Sequence, residues 1–294
     1  MPRAERTARQ HRPRWRIVVS RLAWLTAGLI LCAACGDPSV QQQGAHVRTI
    51  GELTETAKAR LAARRIFFGH QSVGGNIMDG VGDLVREQPT LGLKVVGLDE
   101  SASMSGGFFA HAIVGTNEHP TTKTDEFARL LDEGLASRVD IAFHKYCFVD
   151  VTEHVDAQGV FAHYRDTMGR LRAAYPDITF VHVTAPLMAV QSGPKALMKK
   201  MLGRAPARYQ DNFRREQFNE LMRREYLGRE PVFDLAAIES SAPDGRQETI
   251  SFQGTNGRAL FAPHTSDGGH LNEIGRRQVA EELVVLLAQL PASK

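Results

Sequence analysis

The sequence predicts an α/β protein, a three-layer α/β/α sandwich built on a central parallel sheet. Short apolar runs of strand length alternate along the chain with longer stretches whose apolar residues recur at helical spacing. The runs are nearly continuous in apolar residues, as strands covered on both faces require. Turn chemistry such as Tyr175-Pro176-Asp177 bounds them, and 294 residues with 43% apolar content can bury one substantial core.

Residues 1–34 differ from the rest. Seven arginines from Arg3 to Arg21 face a single acid, Glu5, and an apolar run from Leu22 to Leu31 leads into Cys32-Ala33-Ala34-Cys35. A basic stretch, a short apolar stretch and small residues are the layout of an export signal. The apolar run is shorter than the ~20 residues that span a bilayer. The expectation is a signal peptide over 1–34 of the bacterial lipoprotein kind, with Cys35 as the lipidated residue. That places the protein at the cell envelope, or in the periplasm or medium if no lipid is attached. Removing the segment lowers the formal charge by six, from +3 to −3, so no basic surface argues for a nucleic-acid partner. Once Cys35 is lipidated, Cys147 is the one thiol left, read as a buried side chain, and stability must come from packing.

A polar tether over 35–51, containing Gln41-Gln42-Gln43, precedes a single domain over 52–294. Leu53, Ala57 and Leu61 mark a helix over Glu52 to Arg65, and Ile66 to Gly69 is a buried strand. Ile77, Val81, Leu84 and Val85 give one face of a helix that ends near Pro89, and Leu93 to Leu98 is the next strand. Ser101 to His119 is Gly- and Ser-rich and reads as a long loop, with Phe108 and Phe109 either lining a pocket or packing the loop down. A helix bearing Phe127, Leu130, Leu131 and Leu135 precedes the strand Val139 to Phe143. Phe161, Tyr164, Met168 and Leu171 mark the following helix, and Ile178 to Val183 the following strand. Ala185-Pro186 opens a basic, Met-rich insertion over Met198 to Arg208, read as a solvated surface or a face toward an anionic lipid or polysaccharide. A helix from about Asn212 to Tyr226, the strand Val232 to Leu235 and a helix from Glu273 to Leu290 complete the order.

Chemistry concentrates at two places. Ser72 follows the first strand in a turn backed by Gly74 and Gly75, and the helix behind it directs its positive end at that turn. A hydroxyl needs a base, and the base an orienting partner. Asp267-Gly268-Gly269-His270 provides both in one loop before the last helix. Asp267 would orient one ring nitrogen of His270 while the other faces Ser72. An alternative reading gathers His70, His144, His182 and His264 with Asp267 and His270 around a water-activating metal, although no compact ligand motif is present.

On these residues the chain resembles the SGNH (GDSL-type) hydrolase superfamily over roughly Ile66 to Leu290, with a flavodoxin-like sheet. The resemblance implies Ser72 as nucleophile, His270 as base and Asp267 as triad acid. Tyr175-Pro-Asp-Ile-Thr-Phe, Val232-Phe-Asp-Leu and Asp267-Gly-Gly-His-Leu-Asn-Glu-Ile-Gly support it. His70-Gln71-Ser72 stands where the family shows Gly-Asp-Ser, so His70 and Gln71 are expected to line the site. The family's second-block glycine falls to Gly106 or Gly107 in Ser103-Met104-Ser105-Gly106-Gly107. His144-Lys145-Tyr146-Cys147 occupies the place of Gly-x-Asn-Asp, which leaves Lys145 or Tyr146 as the third oxyanion donor. The resemblance implies a serine esterase or deacylase acting on a small-molecule or glycan O-acyl ester through an acyl-enzyme. No cofactor and no metal are expected, and the N-terminal segment gives contact with the membrane only through the lipid anchor. Acyl transfer between glycans is a variant of the same chemistry. A non-catalytic glycan- or partner-binding envelope protein on the same fold is the alternative.

Overall fold

The computed structural model describes residues 49–291; the signal over 1–34, Cys35 and the tether as far as residue 48 lie outside them. Ile50–Glu52 forms a short 3-10 turn with Ile50 buried. Helix α1 (Glu55–Ala63) starts at Thr54, whose hydroxyl caps the Ala57 N–H. Strand β1 (Arg65–His70) and helix α2 (Val73–Glu87) follow as expected. Then come β2 (Val95–Gly97), the one-turn α3 (Leu98–Ser101), β3 (Phe108–Ile113), α4 (Pro120–Asp132) and β4 (Ile141–His144). Helix α5 (Ala157–Ala174), capped by Asp156, leads into β5 (Thr179–Phe180) and β6 (His182–Val183). Helices α6 (Gly193–Met201) and α7 (Tyr209–Tyr226), β7 (Val232–Phe233), α8 (Leu235–Glu239), the hairpin β8 (Thr249–Phe252) and β9 (Thr255–Arg258), and α9 (Glu273–Gln289) complete the order.

The central sheet is parallel throughout, in the order β2-β3-β1-β4-β5. The stretch from Ile178 to Val183 changes partner midway. Thr179 and Phe180 pair with β4, Val181 donates its N–H to Ala142, and His182 and Val183 pair with β7. Period-two alternation builds the two layers. Ile66 and Phe68 point into one core with residues of α2 and α9, while Phe67 points into the other with residues of α4, α5 and α7. Each fully buried Phe, Leu or Ile contributes roughly 1.5–3 kcal/mol relative to exposure, which is how the two cores hold the sheet between its helices.

The expected loop over Ser101 to His119 is corrected by β3. Phe108 and Phe109 are buried on opposite faces of this strand, and they neither line a pocket nor cover a loop. The Gly and Ser residues belong only to its approach. The expected strand Leu93 to Leu98 shortens to the three residues of β2 at the sheet edge. Connections leave β1 toward β2 and β3 on one side, and β4 lies on the other. That makes the carboxyl end of β1 a switch point, the place where open α/β sheets hold their ligands.

Candidate active site

Ser72 stands at this switch point, two residues past β1. Its backbone adopts φ 51° and ψ −111°, a conformation non-glycine residues rarely take. Two hydrogen bonds hold the bend: Gly74 N–H to Gln71 C=O at 2.9 Å, and Gly75 N–H to Ser72 C=O at 2.7 Å. Any side chain at Gly74 would overlap the His70 side chain, so glycine is needed for the turn to sit this close to β1. The Ser72 N–H makes no hydrogen bond among the described residues and lies at the positive end of α2.

The last loop meets this turn from 198 residues away in sequence. Ser72 Oγ lies 2.6 Å from His270 Nε2, and His270 Nδ1 lies 2.6 Å from Asp267 Oδ2. An ionised carboxylate only accepts, so Nδ1 carries the proton and Nε2 is free to accept from the serine. Asp267 Oδ1 accepts the N–H groups of Gly269 and His270, both at 2.8 Å. The Gly269 N–H, then the His270 ring, hold this carboxyl well below the usual carboxylate range. Gly268 N–H donates to Thr265 Oγ1, and Leu271 N–H donates to Asn76 Oδ1 in the first turn of α2. Arg208 Nη1 donates to the Gly268 and Ala189 carbonyls at 3.1 Å each. Phe148 and the His270 ring pack in a T-shaped arrangement with centroids 5.4 Å apart.

His70 and Gln71 serve the turn from beneath. His70 is buried, with Nε2 2.9 Å from His111 Nδ1, and burial pushes its pKa down to about 3. A neutral ring packed there supports the serine turn and is no rival to His270 as base. Gln71 Nε2 donates to the Gly115 carbonyl at 2.5 Å and to the Val114 carbonyl at 3.3 Å, clamping the loop after β3 to the serine turn. That task needs a donor, which the aspartate of Gly-Asp-Ser could not supply.

The structure places the other expected oxyanion donors elsewhere. Gly106 and Gly107 lie at the amino end of β3, six residues of strand from Ser72, or about 20 Å at strand rise. Gly107 is glycine because the backbone of Ala62 approaches it too closely for a side chain. Tyr146 is buried, its hydroxyl paired with Thr124 Oγ1 at 2.6 Å, and burial raises its pKa further. Lys145 is fully buried and donates to the Tyr146 carbonyl at 2.9 Å; burial lowers its pKa to about 8. Neither side chain is free to meet a substrate. The loop at the correct end of β3 is Val114-Gly115-Thr116-Asn117. Gly115 N–H is committed to Glu126, and Thr116 N–H to Thr122. Asn117 Oδ1 accepts from Lys123 Nζ, which leaves its NH2 as a donor. Lys123 pairs with Asp150, which also accepts the Glu118 and Cys147 N–H groups. The loops after β3 and β4 are thereby tied together beside Phe148 and the triad. Asn117 and Asn76 escaped the sequence reading because neither sits in a motif.

The histidines of the metal alternative are dispersed. His144 is buried among Phe127, Tyr146 and Tyr164, while His182 stacks on Tyr226 and pairs with Tyr164 and Glu230. Among the described residues no three His, Cys, Asp or Glu side chains converge as a ligand set. Cys147 is buried with its thiol free.

Fold and geometry together define an α/β/α protein carrying a Ser–His–Asp constellation at the carboxyl edge of its sheet. No protein-family model matches the chain, and no curated protein does. Solved structures similar to it include the following three. One is provisionally named a platelet activating factor, from Streptococcus pneumonia, at 14% identity over 79% of this chain and 90% of that one, with TM-score 0.40. Another is provisionally named a lipolytic protein of the G-D-S-L family, from Desulfitobacterium hafniense DCB-2, at 9% identity over 76% and 99%, with TM-score 0.42. A third is provisionally named an SGNH hydrolase, from Slackia heliotrinireducens, at 14% identity over 76% and 98%, with TM-score 0.41. At this distance the chemistry of the site rests on its own geometry.

Proposed function

We propose that this chain is a serine hydrolase of the SGNH (GDSL-type) superfamily that cleaves O-acyl esters through an acyl-enzyme. The observation that carries the reading is the pair of 2.6 Å contacts joining Ser72, His270 and Asp267 in the order acyl transfer requires. Ser72 Oγ attacks the ester carbonyl and its proton passes to His270 Nε2. The negative charge forming on the carbonyl oxygen faces the Ser72 N–H and the amino end of α2, with the Asn117 NH2 as second donor. Collapse breaks the carbon–oxygen bond to the alcohol, which takes the proton from Nε2. Water then attacks the acyl-enzyme with His270 again as base and releases the acid and Ser72. The export signal and Cys35 favour a substrate at the cell envelope, with O-acylated glycans first and simple lipid esters next.

A non-catalytic glycan- or partner-binding role is the second reading, favoured by the committed side chains of Lys145 and Tyr146. Fluorophosphonate labelling and p-nitrophenyl acetate turnover separate the two. Labelling and turnover that vanish in Ser72→Ala support the hydrolase. Folded wild-type protein that neither labels nor turns over sinks it. Activity that survives Ser72→Ala and is lost to a chelator would point to metal chemistry instead.

A further inference from the structure

Helix α6 turns its apolar side away from the protein. At about 100° per residue, Leu197, Met198, Met201 and Leu202 fall on one side of this helix and Ala196 on the other. Ala196 is the buried residue of α6, whereas Leu197, Met198, Met201 and Leu202 are 62%, 58%, 80% and 66% exposed. A helix lying on a globular domain ordinarily has the reverse orientation. The small residue faces the body here, and the large apolar ones face out.

Cations border that stripe. Lys195 and Lys199 lie along one edge and Lys200 along the other, with its Nζ 4.9 Å from the Tyr209 ring centroid; Arg204 follows on the exposed turn after the helix. From Ile178 to Gln210 the sequence contains no Asp or Glu. Among the described residues none of Lys195, Lys199, Lys200 and Arg204 forms an ion pair. The segment is also fastened to the triad loop. Ala189 N–H donates to the Gly268 carbonyl at 2.9 Å, and Arg208 grips the Ala189 and Gly268 carbonyls. Gln191 and Ala207 close the neck of the insertion with two further hydrogen bonds. The neck of the insertion that carries α6 is therefore fastened to the loop of Asp267 and His270.

An outward apolar stripe rimmed by unpaired cations is the pattern of a helix lying in a bilayer interface. We propose that α6 docks this protein on an anionic phospholipid surface. Leu197, Met198, Met201 and Leu202 enter the acyl boundary while Lys195, Lys199, Lys200 and Arg204 meet headgroup phosphates. Charge selects this occupant over two others. A second copy would bring the same cations face to face, and the chain's own apolar segment Leu22 to Leu31 follows seven arginines. The docking goes beyond ester cleavage and does not depend on it.

Hydrogen exchange of full-length protein, read on peptides covering residues 193–204, tests the docking locally and independently of the N-terminal segment. Equimolar phosphatidylcholine–phosphatidylglycerol vesicles should slow exchange there several-fold, and phosphatidylcholine vesicles should not. The double variant Leu197→Glu/Met201→Glu, altered only at exposed positions, should lose the protection. Lys199→Glu and Lys200→Glu should each weaken vesicle binding about fivefold or more, from roughly 1 kcal/mol per cation near an anionic surface. Exchange unchanged by anionic vesicles overturns the proposal, as does equal protection by phosphatidylcholine alone. Protection already present without vesicles also overturns it, and assigns the face to a second copy or to the chain's own segment.

Discussion

Replacing Asp267 with asparagine tests the triad at its most constrained point. Asp267 Oδ1 accepts two backbone N–H groups at 2.8 Å, and Oδ2 faces His270 Nδ1 at 2.6 Å. An asparagine has only one acceptor oxygen. Set against the two N–H groups, that oxygen satisfies both; set the other way, the NH2 would oppose them. The loop thus orients the new amide with its NH2 toward Nδ1. An NH2 only donates, so Nδ1 must become the acceptor and the ring proton must move to Nε2. In that tautomer Nε2 cannot take the proton of Ser72. Loss of the correct tautomer costs about 10³–10⁴ in kcat, or roughly 4–5.5 kcal/mol of barrier. Asp267 is 57% exposed, and water screens its pull on the imidazolium, so the lower end of that range, about 10³-fold, is expected. The assay is kcat for p-nitrophenyl acetate at pH 7, beside a thermal melt. The melt should stay close to wild type, because the amide oxygen preserves the loop's hydrogen bonds. If Asp267→Asn keeps more than a tenth of wild-type kcat while Ser72→Ala is inactive, the carboxylate does not set the His270 tautomer and the triad argument fails.

Asn117→Ala should lower kcat about 10²-fold or more, as loss of one oxyanion donor does, and should also cost about 1–3 kcal/mol of stability because Asn117 Oδ1 accepts from the buried Lys123 Nζ; unchanged kcat in the folded variant removes Asn117 from the site. Lys123→Met strands the buried carboxylate of Asp150 and should cost about 3–5 kcal/mol, or roughly 6–20 °C in melting temperature for a domain of this size. A melt within about 2 °C of wild type would mean that the pair contributes little. Burial pushes the Glu239 carboxyl up to about 8, so between about pH 4.5 and 8 the unfolded chain releases a proton that the folded protein keeps. Stability from this group is full below that window and falls as pH rises through it. Glu239→Gln should therefore gain in melting temperature over wild type progressively from pH 5 to pH 8, and a constant difference would refute a neutral Glu239.

Much of the fold was legible because burial imposes periodicity. Ile66 to Gly69, Val139 to Phe143 and the Val279, Leu283 and Leu287 face of α9 each announce their surroundings through spacing alone. Strand β3 did not, because Gly106 and Gly107 made its approach look like a loop and hid the buried pair Phe108 and Phe109. The same reason put Gly106 and Gly107 at the wrong end of the sheet for oxyanion donors. With β3 unrecognised, Gly106 and Gly107 had no strand end to be measured from, and they proved to be at the far one. Lys145 and Tyr146 do stand at the correct end of β4, but no local pattern reveals that Thr124 and the Tyr146 carbonyl engage their polar atoms.

The chain's local order sufficed to specify alternating strands and helices, the sharp turn at Ser72 and the pairing of Asp267 with His270, since each depends on residues within a few positions of one another. Bringing His270 Nε2 to 2.6 Å from Ser72 Oγ required the packed sheet, because 198 residues separate them and no short-range preference spans that gap. The tertiary structure alone also decided that Gln71 clamps a neighbouring loop, that His70 is a neutral support, and that α6 faces its apolar side outward. Each of these depends on which distant surface a side chain meets, and that is settled only when the two cores close on the sheet.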